Sequence, residues 1–240
     1  MSKTNTKFWI GVAIGTIGGL FAAKKYQSAT QMPMAKSWQK ILSDKRGEID
    51  SGILMARIIN KYNELKSGKP IFNNILFDSH IDRMLLPGLA LYLTLRDDGL
   101  EKDEALTEID RLYKTWFERI LPFNIQTNQL LKFIPKNTTT LLRGIRFITD
   151  SLFPAPGWRY EILAENNKTL AFNMHDCFYM KVLNHYNAPE LTPVFCQLDD
   201  YLMDAMPTAI KWGRTQTMGF GAECCDFRWE IDAMESSQHH

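Results

Sequence analysis

The hydrophobic period of this chain changes once, at Pro154, Pro156 and Gly157, and that change limits what it can fold into. Before the break, apolar residues recur at helical spacing. Ile53, Leu54, Ile58, Ile59, Tyr62 and Leu65 form one stripe, with Asp50 or Ser51 as its cap. Leu89–Asp98 continues the helical pattern, and Gly99 is its natural stop. Leu106, Ile109, Leu112, Tyr113, Trp116, Phe117 and Ile120 form a second stripe, with Asp103 and Glu104 near its positive N-terminal end. Pro122 and Pro135 punctuate the next stretch, and a further helix is expected over 139–153.

After the break the period falls to two. Trp158, Tyr160, Ile162 and Ala164 alternate with charged residues, although Leu163 interrupts them. Asn166-Asn167 supplies a turn, and Leu170, Phe172 and Met174 alternate on the return, which predicts a hairpin over 158–174. Helices are expected over 176–187 and 190–206, broken at Ala188-Pro189. Two more strands come after them: Trp212, Arg214, Gln216 and Met218 on one, Cys225, Phe227 and Trp229 on the other, with Gly219 and Gly221 between them. The expected class is α+β: a helical N-terminal half packed on a four-stranded antiparallel sheet with two helices, in the order strand-strand-helix-helix-strand-strand. The expected division is an apolar segment over 1–30, a helical region over 31–157, an α+β region over 158–232 carrying the candidate site, and a tail over 233–240. The terminal His239-His240 pair is given no role.

Composition excludes several function classes. With 45% apolar and 23% charged residues the chain is not intrinsically disordered. A formal charge of +1 leaves no basic excess for a phosphate backbone, so no nucleic-acid partner is expected. The 14 Phe, eight Tyr and six Trp point instead to an aromatic core or a pocket for a small molecule. No HExxH, ExxH or Gly-rich phosphate loop occurs, and His80 stands isolated in the helical half. No cofactor is expected, and nothing in the residues fixes an oligomeric state.

Residues 8–23 read FWIGVAIGTIGGLFAA without a charge, and Lys7, Lys24 and Lys25 flank them. Sixteen helical residues span about 24 Å, short of the roughly 30 Å of hydrocarbon, a gap that snorkelling lysines can close. Gly11, Gly15 and Gly19 would give such a helix a flat packing face. An N-terminal membrane anchor with a cytoplasmic body is the leading expectation. The alternatives are a cleaved signal peptide and a Gly-rich segment packed on the protein or loosely ordered, and the alternative location is soluble cytoplasmic.

All four cysteines lie after the break: Cys177, Cys196, Cys224 and Cys225. No CxxC pair exists, so zinc-ribbon and thioredoxin signals are absent, and a three-thiolate set of Cys177, Cys196 and Cys225 obeys no spacing rule. No metal is expected. Cys177 sits at an expected helix start, where unpaired N–H groups and the helix dipole favour a thiolate; His175 and Asp176 precede it. Cys196 lies one turn before Asp199 and Asp200, and Cys225 alternates inward with Phe227 and Trp229. For each, the competing reading is a small buried apolar residue.

The order of these residues resembles a known family. Cys177, the APEL turn over 188–191, FCQLD with Cys196 and Asp199, the RTQT strand with Arg214, Thr215 and Thr217, and GAECCDF with Gly221, Cys225 and Asp226 are similar to the L-2-amino-thiazoline-4-carboxylic acid hydrolase family, as is the helical segment from Tyr92 to Leu106. The apolar N-terminal segment has no part in the likeness. The resemblance implies hydrolytic opening of a cyclic amidine of the thiazoline-carboxylate type at a C–N bond. Such a step needs an activated nucleophile, a proton donor for the leaving nitrogen and a charge partner for the carboxylate. Under this implication Cys177 attacks, His175 acts as base, and Asp199 holds the amidinium-like group. Arg214 takes the carboxylate in a two-pronged contact, with Thr217, Cys196 and Cys225 completing the substrate pocket. Plainer readings remain for two of them: an ion pair of Arg214 with Asp226 or Glu230, and a helix-surface carboxylate at Asp199. A strict strand would also point Arg214 and Thr217 to opposite faces. The functional alternative is a non-catalytic small-molecule binding or sensing domain, with or without a membrane tether.

Overall fold

The computed structural model describes residues 32–120, 138–204 and 210–231. The apolar run over 8–23 and the tail over 233–240 lie outside these residues. Among the described residues no helix is long and apolar enough to cross a membrane. The chain is α+β, with helices through its N-terminal half and a four-stranded antiparallel sheet in the order β1-β2-β4-β3. Two compact units are present, and the described parts of one are residues 32–120 and 179–201. The other comprises 138–178, 202–204 and 210–231.

The first unit is helical: α1 (Ala35–Arg46), α2 (Glu48–Ser67), α3 (Ile75–His80), a π-helical turn (Ile81–Leu85), α4 (Leu86–Asp97) and α5 (Lys102–Ile120). The expected cap of α2 is corrected. The helix starts at Glu48 with Gly47 at its cap, at a φ of 80° that a side chain would resist. Asp50 lies in the first turn, and the Ser51 hydroxyl is buried, donating to the Glu48 carbonyl and accepting from Gln39 Nε2 at 2.9 Å. Gly99 ends α4 as expected, at φ 86°.

The π turn has a cause in the sequence. Pro87 comes two residues after its end and has no N–H for the helix ladder. The Leu86 N–H reaches back to the Ile81 carbonyl, and two tyrosines serve carbonyls of the turn: Tyr62 of α2 donates to Asp82 O at 3.1 Å, and Tyr113 of α5 donates to Met84 O. Trp38 meets Tyr113 edge-on at 5.3 Å, and Tyr113 meets Phe195 at 5.6 Å.

The second unit holds α6 (Thr138–Leu152), β1 (Arg159–Glu165), β2 (Thr169–Asp176), β3 (Ile210–Gly213) and β4 (Cys225–Ile231). Helix α7 (Phe178–His185) comes after β2, and a 3-10 turn (Pro189–Leu191) leads into α8 (Thr192–Asp204). The interruption at Leu163 is a β-bulge: the register of β1 against β2 shifts between Ile162 and Ala164, and Leu163 is left 49% exposed. Pairing of Phe172 with Phe227, Leu170 with Trp229 and Trp212 with Trp229 gathers one face of the sheet into an aromatic layer. Phe172 stacks on Phe227 at 5.1 Å, and Trp212 lies 4.9 Å from Trp229. The opposite face carries Asn173, Asp226 and Arg228; the Arg228 guanidinium donates to the Phe172 carbonyl and to Asn173 Oδ1, both at 2.9 Å.

One strand is shorter than its alternation predicts. β3 ends at Gly213 rather than running to Met218. The physical reason is Asp226. Its carboxylate accepts from the N–H groups of Thr215 and Gln216 at 2.9 and 2.8 Å and from the Thr215 hydroxyl at 2.7 Å. These backbone donors go to a side chain instead of extending the ladder, and the chain turns into a 3-10 element (Met218–Phe220) closed by Gly221 at φ 91°.

Candidate functional site

The early end of β3 sets the place of several residues singled out from the sequence. With the strand over at Gly213, alternation no longer sends Arg214 and Thr217 to opposite faces. The Arg214 guanidinium carbon sits 5.8 Å from the ring centres of both Trp212 and Phe227, a cation held on an aromatic face. Three residues on, Thr217 is buried, and its hydroxyl accepts from the Phe220 N–H at 3.3 Å, capping the 3-10 turn. The next N–H, of Met218, donates to Cys225 Sγ at 3.3 Å. Cys225 shares the aromatic face with Phe227, two residues along β4. Arg214 thus lies over Trp212 and Phe227, and the segment after it carries Thr217 next to Met218, whose N–H meets Cys225.

Asp226 is the hinge of this segment, and it is not the ion-pair partner foreseen for Arg214. It is 8% exposed. Burial pushes its carboxyl upward, and the Thr215 hydroxyl with the Gln216 and Thr215 N–H groups outweighs that, holding it below the usual carboxylate range. Its ionised form ties the 215–217 segment to β4 and so fixes where Arg214 and Thr217 stand. Gln216 adds a contact from Nε2 to Cys224 Sγ at 3.3 Å. Sequence reasoning named Asp226 as part of the GAECCDF motif and as a possible partner of Arg214, without a structural role. The signal for its structural role was its placement on the polar phase of a strand otherwise filled with Cys225, Phe227 and Trp229.

The other candidates come from other elements. His175 lies on the β2 phase opposite to Met174, the partner of Cys225, and its Nε2 is 3.5 Å from Glu161 Oε2. The geometry thus does not bring His175 to Cys225. Cys177 is half-buried between two fixed neighbours: Asp176 pairs with Arg159 at 2.7 Å, and the Phe178 ring lies 5.2 Å from Trp158. It immediately precedes α7, as the sequence predicts. Cys196 and Asp199 belong to the helical unit, both half-buried on α8, three residues apart and beside the buried Phe195 and Leu198. No disulfide joins the four cysteines, and among the described residues no group of three or more His, Cys, Asp or Glu side chains could hold a metal ion.

The sequence profile of L-2-amino-thiazoline-4-carboxylic acid hydrolases matches residues 80–229, well over half of the chain. The chain belongs to that family. The matched range takes in the whole strand-strand-helix-helix-strand-strand region up to Trp229, and it begins at His80, at the end of α3. No curated protein matches the chain. Among solved structures, the Fe(II) unliganded H-NOX protein from K. algicida aligns at 10% identity with a TM-score of 0.32, covering 83% of this chain and 95% of that one. A likeness so distant assigns nothing here. What the family supplies is a reaction class, and the segment around Arg214 is the part of the sheet unit whose chemistry can be set against it.

Proposed function

We propose that this family member is a hydrolase that opens the ring of a small cyclic amidine bearing a carboxylate, a compound of the 2-amino-thiazoline-4-carboxylate type. Family membership carries the reading, and the placement of Arg214 supports it. An arginine laid across Trp212 and Phe227 is a pre-set cation beside an apolar surface, suited to a carboxylate on a small flat ring. Thr217, whose oxygen already takes the Phe220 N–H, can donate its hydroxyl proton to the same ligand. Cys225 completes the proposed substrate contacts.

The chemistry proceeds at the amidine carbon between nitrogen and sulfur. Cys177 attacks as thiolate and forms a tetrahedral adduct. Collapse expels the ring nitrogen, which must gain a proton as it leaves, and water then releases the carbonyl product from the thiol. His175, two residues before Cys177, serves as the base, and its pairing with Glu161 keeps the imidazole oriented. A water molecule activated in place of Cys177 gives the same net product.

The test is turnover by the purified full-length protein. Incubation with L-2-amino-thiazoline-4-carboxylate should yield a product heavier by one water, and release of a primary amine rather than a thiol marks cleavage at the C–N bond. Cys177→Ala should abolish turnover; full retention would leave the hydrolase and remove the thiol from its mechanism. Ligand that binds and returns unchanged would instead establish a binding or sensing domain.

A further inference from the structure

His80 is the one histidine of the helical half, and the chemistry proposed for Cys177 makes no use of it. Its side chain is fully buried, at 0% exposure. A buried imidazole carries two ring nitrogens that need partners. One partner is the hydroxyl of Tyr179, 2.8 Å from Nδ1. The two rings also meet edge to face at 5.6 Å, and Phe195 closes on the other side of Tyr179 at 5.7 Å.

The histidine side of this bond is immobile. His80 is the last residue of α3 and the first flank of the π turn over Ile81–Leu85. Hydroxyls of Tyr62 and Tyr113 pin that turn at the Asp82 and Met84 carbonyls. Asn74 caps the start of α3 through the N–H groups of Leu76 and Phe77. Tyr179 is the second residue of α7, and α7 has only eight residues. Its intrinsic stability is slight, because helices shorter than about 12 residues are marginal without tertiary support. Its first turn is held by the buried Phe178, whose ring lies 5.2 Å from Trp158, and by the hydrogen bond and two edge-on ring contacts of Tyr179. Cys177 is joined to this turn by the chain itself, two residues before Tyr179.

We propose that His80 is a positioning residue for the thiol of Cys177, acting through its hydrogen bond to Tyr179. The inference rests on the reading of Cys177 as nucleophile and adds to it a second residue, 97 positions away in the chain (177 − 80). His80 touches neither substrate nor sulfur in this scheme. It fixes the first turn of α7, and with it the N–H groups of that turn on which a thiolate at the helix start depends.

The test is site-resolved alkylation of Cys177 by iodoacetamide, read by mass spectrometry on the full-length protein without substrate. His80→Leu and Tyr179→Phe each remove the bond. Each should slow alkylation of Cys177 roughly five- to tenfold, the range expected for loss of one hydrogen bond. Combining them should slow it no further. His80→Asn keeps a hydrogen-bonding atom where Nδ1 stood and should restore the rate even though the smaller side chain lowers the melting temperature. Tyr92→Phe deletes a comparable tyrosine hydroxyl bond, to Glu190 at 2.7 Å, and should leave the rate unchanged. A folded Tyr179→Phe protein that alkylates Cys177 at the wild-type rate overturns the proposal, as does slowing by Tyr92→Phe to the same degree. With substrate, both bond-removing variants should lower kcat and leave KM near its wild-type value. The labelling needs no turnover, so a wild-type protein inactive on thiazolines would refute the hydrolase reading while the labelling still decides the role of His80.

Discussion

Tyr113 presses its hydroxyl against the backbone of Gly88. A Cβ built on Gly88 would lie 2.8 Å from that oxygen, 3.0 Å from Tyr113 Cε2 and 3.0 Å from Phe195 Cζ. The phenol is fully buried, which pushes its pKa far above the ordinary value, and it donates to the Met84 carbonyl. Neither ring can withdraw, because Tyr113 is also held by Trp38 at 5.3 Å. Gly88→Ala should therefore destabilise the fold by about 1–3 kcal/mol through overpacking, outweighing the roughly 1 kcal/mol that alanine gains over glycine inside a helix. Denaturant unfolding of the two proteins checks this; an alanine variant of equal or greater stability would show that the site has room.

Asp226 should make the sheet unit sensitive to acid. Its folded pKa is depressed, because the hydrogen bonds from Thr215 and Gln216 favour the carboxylate. The stabilisation it supplies is present above the unfolded aspartate value of about 3.9 and is lost as pH falls through the lower folded value. Asp226→Ala should cost about 1–3 kcal/mol at pH 7, since it leaves the donors of the 215–216 segment without their acceptor. The gap between variant and wild type should narrow as the pH is taken from neutrality toward the acid limb. A gap that is constant with pH would assign the loss to packing instead of charge.

The two periodicities were legible because each reports one buried face. The stripe from Leu106 to Ile120 became α5, and the return alternation of Leu170, Phe172 and Met174 became β2. Even the interruption at Leu163 carried meaning, as a bulge. The alternation from Trp212 to Met218 misled because a pattern of side chains does not say where backbone N–H groups bond. Asp226 takes two of them from across the hairpin. Likewise no local pattern marks α3 and the π turn, whose geometry answers to Pro87 and to tyrosines from α2 and α5. Of the site, Cys177 before a helix and Cys225 on an inward phase could be read directly. The placement of Arg214 and Thr217 depended on the strand ending early, and the His80–Tyr179 bond joins positions 99 apart in the chain.

Tyr92 should ionise later than a free phenol. Burial first, and then the hydrogen bond and charge of Glu190, raise its pKa to about 12. A raised folded value means that its contribution to stability is complete below the unfolded pKa of about 10 and disappears as pH climbs through about 12. Ultraviolet titration of the folded protein should show a late-ionising fraction of the eight tyrosines. Tyr92→Phe should remove one residue's worth of that late amplitude, and an unchanged late fraction would mean that the Glu190 contact does not hold the proton.

Arg214 offers the most direct test of substrate charge. Its guanidinium is placed by contact with Trp212 and Phe227, and by the turn that Asp226 enforces just after it. A two-pronged contact to a carboxylate from such a site is a charge-assisted pair, for which roughly 1.5–3 kcal/mol is typical. Arg214→Gln should therefore lower kcat/KM for a thiazoline carboxylate by roughly 10- to 100-fold, mostly through KM. Arg214→Lys restores the charge but neither the planar fork nor the ring stacking, so it should recover only part of the loss. The decisive comparison is the substrate's carboxamide, which has no charge to pair. Wild type and Arg214→Gln should handle it alike. If instead both substrates lose equally, Arg214 serves the fold of the β3–β4 end and the carboxylate is held by another group.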